Sequence, residues 1–140
     1  MNLDKASEAK LREVHSGLVR LVREVHERWP KAYPKETGVR VTCGFRGQTE
    51  QNDAVKRGAS KTPWPRSKHN RKPAMAVDLL PIPFVQKDWK DIPRFERLGR
   101  FVVDVGKEIG VAVRWGGDWD RDGDTKDEKF RDLPHFELVG

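Results

Sequence analysis

A chain of 140 residues and 16.1 kDa has room for one domain with a buried core and excludes a catalytic domain plus a separate binding module. Its hydrophobic and charged shares are both 36%, polar for a globular protein, yet five Trp exclude a disordered chain. A net charge of +6 and a pI near 9.6 favour partners carrying phosphate or carboxylate, such as nucleic acid, anionic lipid or the bacterial envelope, without separating these from a basic surface that serves solubility.

The first residues, MNLDKASEAKLREVH, lack the apolar core of a signal peptide, and no apolar run approaches the roughly 18 residues of a membrane span. Synthesis in the cytoplasm without an export signal is the expectation. Leu11, Val14, Leu18, Leu21, Val22, Val25 and Trp29 recur at helical spacing, which predicts one helix from about Leu3 to Arg28, ended by Pro30 and Pro34. His15 and His26 fall inside it and read as surface or helix-packing residues.

GVRVTCGF at 38–45 alternates so that Val39, Val41, Cys43 and Phe45 share one face of a half-buried strand. Cys43 is the only cysteine: no intramolecular disulfide forms, a cysteine-based metal site is excluded, and an inert buried thiol is expected. A short polar helix follows over Thr49 to Arg57, then the irregular stretch GASKTPWPRSKHNRKP, crowded with basic residues. AMAVDLLPI predicts a buried strand from about Ala74 to Leu80, in which Asp78 is the anomaly.

Phe95, Leu98, Phe101, Val102, Val105 and Ile109 restore helical spacing from Pro93 to Ile109, and Gly110 supplies a stop. VAVRW is a strand, Gly116 to Pro134 an acidic loop, and HFELV a last strand. Helices and short strands mixed without regular alternation predict a small α+β domain, spanning 1–140, with a mostly antiparallel sheet flanked by helices.

A carboxylate buried in an apolar strand costs several kcal/mol unless compensated. An arginine, a hydrogen-bond network or a metal would each compensate Asp78. His69 lies nine residues before it and His135 near the C-terminus. Two neutral imidazoles and a carboxylate form a tripod that leaves zinc a fourth position open, the mark of a catalytic rather than a structural site.

Such chemistry needs a base beside the water that the metal activates. Asp132 is placed to turn towards the metal across the Leu133-Pro134 corner. Glu137 competes for that role, because in a strand it shares a face with His135, but a carboxylate that orients a ligand is its preferred reading. Arg46, at a strand end between Gly44 and Gly47, suits either a carbonyl oxygen turning anionic or a substrate carboxylate.

Ser67-Lys68-His69, Ala76-Val77-Asp78 and Asp132-Leu133-Pro134-His135, preceded by Arg46 in GFRGQTEQ, occur in this order. Together they resemble the zinc peptidases of the D-Ala-D-Ala carboxypeptidase and L-alanyl-D-glutamate endopeptidase family, whose signature is Ser-x-His, Ala-x-Asp and a late Asp/Glu-x-x-His. The WGGDW run leading into DLPHFEL looks most like the endolysin branch of tailed phages, and the likeness spans about Gly38 to Leu138. It implies a hedgehog/DD-peptidase-like fold, zinc held by His69, Asp78 and His135, Asp132 as base, Arg46 on substrate or oxyanion, and Ser67 supporting the site by hydrogen bonds.

One departure is the missing glycine after His69, with Asn70-Arg71-Lys72-Pro73 lengthening the path to Asp78 by about two residues relative to the family. Asp118, Asp120, Asp122 and Gly123 match the first half of a calcium loop, D-x-D-x-D-G. Lys129 stands where the bidentate glutamate belongs, so calcium and a solvated acidic loop both remain open.

The resemblance implies a monomeric enzyme that cuts the L-Ala-D-Glu bond of peptidoglycan stem peptides and lyses the host wall after release from its cytoplasm. A D-Ala-D-Ala carboxypeptidase is the alternative bond. A basic nucleic-acid binder using Trp64 and Trp89 leaves Asp78 unexplained, and no nucleic acid and no membrane insertion are expected. A non-catalytic zinc protein has no use for Asp132 beside a complete ligand set.

Overall fold

Alternating side chains let a sheet bury one face under helices and present the other to a site. The computed structural model describes residues 2–119, 121 and 132–139. It contains α1 (Lys5–Leu11), α2 (Ser16–Ala32), β1 (Gly38–Cys43), α3 (Gln48–Lys56), β2 (Ala76–Ile82), α4 (Ile92–Ile109), β3 (Val113–Trp115) and β4 (His135–Leu138). The four strands run in the order β1-β2-β4-β3, each pair antiparallel.

Val39 and Val41 of β1, Val77 and Leu79 of β2, Phe136 of β4 and Trp115 of β3 point into one core. Leu18, Leu21, Val22, Val25 and Trp29 of α2 and Leu98, Val102 and Val105 of α4 meet them there. Asp91 caps α4 by accepting from Arg94 N, and Gly110 ends it at φ 81°, a left-handed conformation that glycine adopts without strain. Across the base of the sheet, Arg94 holds Glu36 with two hydrogen bonds of 2.8 and 2.7 Å. Among the described residues no helix is long and apolar enough to cross a membrane.

Two sequence expectations are corrected. The single first helix is two: the chain breaks at 12–15, where Val14 bridges Ala74, His15 N donates to Ala74 O at 3.0 Å and Ala74 N donates to Glu13 O at 2.8 Å. His15 then caps α2, its Nδ1 accepting from Gly17 N at 3.0 Å. Ala74, which follows Asn70-Arg71-Lys72-Pro73, thus docks into this break, and Lys72 lies 3.7 Å from Glu13. Pro30 lies inside α2; the helix ends at Ala32, where Tyr33 turns extended before Pro34.

The second correction concerns Cys43. Val41 pairs with Leu79 but Cys43 pairs with Asp78, so β1 carries one extra residue, Thr42, against β2. A bulge of this kind reverses the side-chain alternation. Cys43 leaves the face of Val39 and Val41 and joins that of Asp78.

Candidate metal centre and catalytic groups

Three side chains line up across the sheet face turned away from the helices. Cys43, Asp78 and His135 sit on adjacent strands in one paired row, since Asp78 pairs with both of the others. His69 reaches this row from a one-turn helix, Lys68–Asn70. Ser67 starts that turn, its Oγ accepting from His69 N at 3.2 Å while Asn70 Oδ1 accepts from Ser67 N at 3.1 Å. Backbone bonds from Arg46 N to His69 O and from Met75 N to Lys68 O, 2.8 and 2.9 Å, fasten it on both sides.

His69 Nε2 lies 3.2 Å from Asp78 Oδ1 and 3.2 Å from His135 Nδ1, and the latter two are 3.4 Å apart. Ligands about 2.0–2.1 Å from a tetrahedral zinc stand about 3.3–3.4 Å from one another. The triangle therefore has the dimensions of one face of such a coordination shell.

Each ring presents the nitrogen the triangle needs because its other nitrogen is engaged. His69 Nδ1–H donates to Gly44 O at 2.7 Å. His135 Nε2–H donates to Glu137 Oε1 at 2.8 Å. That leaves a lone pair on His69 Nε2 and on His135 Nδ1, both aimed at Asp78.

Glu137 sits on the far side of His135 from Asp78, with Lys68 at 3.5 Å and Arg114 at 3.9 Å, the position of a group that orients a ring. Asp132 Oδ2 is 3.9 Å from His135 Nδ1, just outside the triangle, and groups with Asp78 and His135. Arg46 lies 3.6 Å from Asp78 Oδ2 and donates to Gln51 Oε1 at 3.1 Å. Two of the compensations open to Asp78 are thus present at once, an arginine and a hydrogen-bond network, and the third has a place to go.

The electrostatics fit a cation. Burial works against the His69 charge, but Asp78 outweighs it and holds that imidazole up at about 10. Burial works against the Asp78 charge too, and the His69 charge with hydrogen bonds from His135 and His69 keeps its carboxyl well below the usual range. Protons on the imidazoles stand where a metal would, so ion and proton compete for one set of lone pairs. Asp132 is the exception: burial first, then the Asp78 charge, push it up to about 6, against the pull of His135, His69 and Arg46.

Cys43 qualifies the count made from sequence. One cysteine excludes an all-thiolate site but not a mixed one, and Cys43 groups with His69 and Asp78. Its sulfur is 3.7 Å from His69 Nδ1, however, the ring nitrogen already given to Gly44. Cys43→Ser is therefore expected to change the affinity for added zinc by less than about twofold, read by titration with the metal; a larger loss would place the thiol among the ligands.

The corner carrying Asp132 is held by a tryptophan and three glycines. Trp115 Nε1 donates to Leu133 O at 2.7 Å, and its ring leaves no room for a Cβ on Gly99 or Gly117. Gly116 exchanges backbone bonds with both ends of the corner, its N donating to His135 O and its O accepting from Asp132 N, each at 2.8 Å. A Cβ on Gly116 would collide with Asp132 O. Gly116→Ala is expected to lower turnover on the order of a hundredfold, the cost of moving a reacting group about 1 Å, with zinc still bound; unchanged turnover would disconnect this corner from the chemistry.

Comparison with known proteins decides the family. The profile of the phage L-alanyl-D-glutamate peptidases matches residues 1–139, and the L-alanyl-D-glutamate peptidase of Escherichia phage T5 is 33% identical over 138 residues, 96% of each chain. The chain belongs to the phage L-alanyl-D-glutamate peptidase family. The fold agrees: the crystal structure of the Serratia marcescens L-Ala D-Glu endopeptidase ChiX matches with a TM-score of 0.69 and 29% identity, covering 99% of this chain and 90% of that one.

This peptidase also contains site residues that its sequence does not single out. Gln51 is fully buried and accepts from Arg46 and from Asn70 Nδ2, each at 3.1 Å; in GFRGQTEQ nothing distinguishes it from Gln48. Away from the site, His26 is the helix-packing residue of the two alternatives read from sequence: it is buried and accepts from Val39 N at 3.0 Å. Of the calcium residues, Asp118 is described, its backbone O accepting from Arg121 N at 3.2 Å, whereas Asp120 and Asp122 lie outside the described residues.

Proposed function

We propose that this phage-type peptidase is zinc-dependent and hydrolyses the L-Ala-D-Glu bond of peptidoglycan stem peptides, with His69, Asp78 and His135 as ligands, Asp132 as general base and Arg46 on the substrate. The observation that carries the reading is the triangle of donor atoms, 3.2, 3.2 and 3.4 Å on a side, with a half-buried carboxyl group beside its open side. When bound, zinc supplies Lewis acidity to water and to the scissile carbonyl.

Asp132 takes the proton of the attacking water and passes it to the departing amide nitrogen, a role that suits a carboxyl group raised towards neutrality. Arg46 brings a guanidinium to the oxygen on which negative charge develops. Gly44 O and Glu137 hold the two imidazoles in their tautomers, and Ser67 holds the turn that presents His69. The two cavities that meet at Arg46 and Asp132 give room for peptide on both sides of the cut bond. An endopeptidase needs that room, while a D-Ala-D-Ala carboxypeptidase requires it on one side only.

In this role the peptidase works on the cell wall after release from the host cytoplasm, without stable insertion in a membrane and without nucleic acid. Stem peptides incubated with the zinc-loaded protein and analysed by mass spectrometry test the reading. A new glutamyl amino terminus that vanishes with chelator is expected. Release of free D-Ala instead would make it a carboxypeptidase, and no cleavage at all would refute the assignment.

A further inference from the structure

The stretch between α3 and β2 brings His69 and Ser67 to the centre, but its basic residues Lys61, Arg66 and Arg71 have no part in the chemistry above, and they form one wall of the cleft. A cavity of about 650 Å³ lies over the β1 and α3 side, where Glu50, Asp53 and Arg57 line it with Phe45 and Trp89. A second, of about 400 Å³, lies over the loop side, lined by Lys61, Arg66 and Arg71. Arg46 and Asp132 line both, so the reacting groups sit where a wall on which Glu50 and Asp53 outnumber Arg57 meets one carrying the cations of the loop.

We propose that Lys61, Arg66 and Arg71 form the subsite for the free carboxylate of the glutamyl residue on the leaving-group side, and so fix the direction in which the peptide lies. The inference rests on the proposed cleavage of an alanyl-glutamyl bond. Glutamate has two carboxyl groups and the chain continues through one, so an anionic carboxylate stands a few bonds from the departing nitrogen. Alanine on the other side offers a methyl group. A carboxylate is repelled by Glu50 and Asp53 and attracted by the loop, so the acidic half of the substrate lies over the loop and the alanyl half over β1 and α3.

The loop is built to hold that charge in place. Gln51 Nε2 donates to Ser60 Oγ at 3.0 Å and to Thr62 O at 2.6 Å, while its Oε1 takes Arg46 and Asn70. One buried amide thereby registers the basic loop against Arg46 and the turn that carries His69. Lys68 in the same cavity is already paired with Glu137 at 3.5 Å. Among the described residues, the side chains of Arg66 and Arg71 enter no ion pair and keep their donors for a ligand.

The test uses the zinc-loaded protein and two synthetic stem peptides that differ only in the glutamyl group, free carboxylate in one and carboxamide in the other. Wild type is expected to favour the carboxylate by roughly tenfold or more in kcat/KM, the scale of a charge-assisted hydrogen bond. The K61A/R66A/R71A variant is expected to bring that ratio close to one, with the larger loss of kcat/KM falling on the carboxylate peptide. A K5A/K31A/K35A variant, which removes the same charge from exposed positions on α1, α2 and the turn after it, should keep the wild-type ratio. A ratio unchanged in the loop variant, or lowered equally by both variants, overturns the subsite while leaving the peptidase assignment standing. Failure of wild type to cut either peptide overturns that assignment, and the subsite with it.

Discussion

Alanine at His69 is expected to reduce bound zinc from one ion per chain to nearly none, measured by elemental analysis after gel filtration, and stem-peptide cleavage to background. Loss of an outer partner of a metal ligand already costs about 10–100-fold in affinity, so loss of a donor atom exceeds roughly a hundredfold. What remains is Asp78 and His135, with the Arg46 guanidinium 3.6 Å from the Asp78 carboxylate and repelling a dication.

The same substitution acts on the metal-free fold. His69 is 1% exposed and its charge balances Asp78, so removing it leaves a buried carboxylate with less compensation, a loss of about 3 kcal/mol. His69→Gln keeps the volume and an amide donor, which separates ligand loss from unfolding. The sign with pH follows from the raised imidazole. In metal-free wild type the pair stabilises fully below pH 6.5 and fades as pH climbs towards about 10; neither variant retains that alkaline limb. A His69 variant that kept one zinc and wild-type turnover would remove this residue from the centre.

Asp132→Asn should leave zinc content intact and lower kcat by about 10²–10⁴, the usual share of a general base. An amide keeps the size of the group and loses its negative charge and with it the ability to take a proton. Activity of wild type is expected to rise with pH through the ionisation of Asp132. That limb lies at or below about pH 6, since a dication beside the group favours its anion. The asparagine variant should show a flat profile there. Retained turnover would transfer the base to Glu137, despite its hydrogen bond to the outer nitrogen of His135.

Asp78 is legible in the sequence because a carboxylate among AMAVDLLPI breaks the apolar run, and the structure puts it against both histidines. Helix α4 is legible because its periodicity and its terminal Gly110 agree, its start falling at Ile92, one residue before the expected Pro93. The break between α1 and α2 is not. Leu11, Val14 and Leu18 keep helical spacing across it, and the cause is tertiary pairing with Ala74, which no local pattern records. Nor is the turn of Cys43 onto the Asp78 face, since a bulge at Thr42 leaves the alternation of GVRVTC unchanged on paper. Gln51 stayed hidden because an amide on a polar helix looks solvated until Arg46, Asn70 and the loop are found around it.

Because Asp78 and His135 face each other on hydrogen-bonded strands, their separation is set by the ladder itself, before any ion arrives. Loading should then proceed at a rate governed by ligand deprotonation, with little change in amide exchange along β2 and β4. Cooling or heating short of the melting transition would leave the spacing untouched, whereas the last strand cannot peel away without carrying His135 out of the triangle.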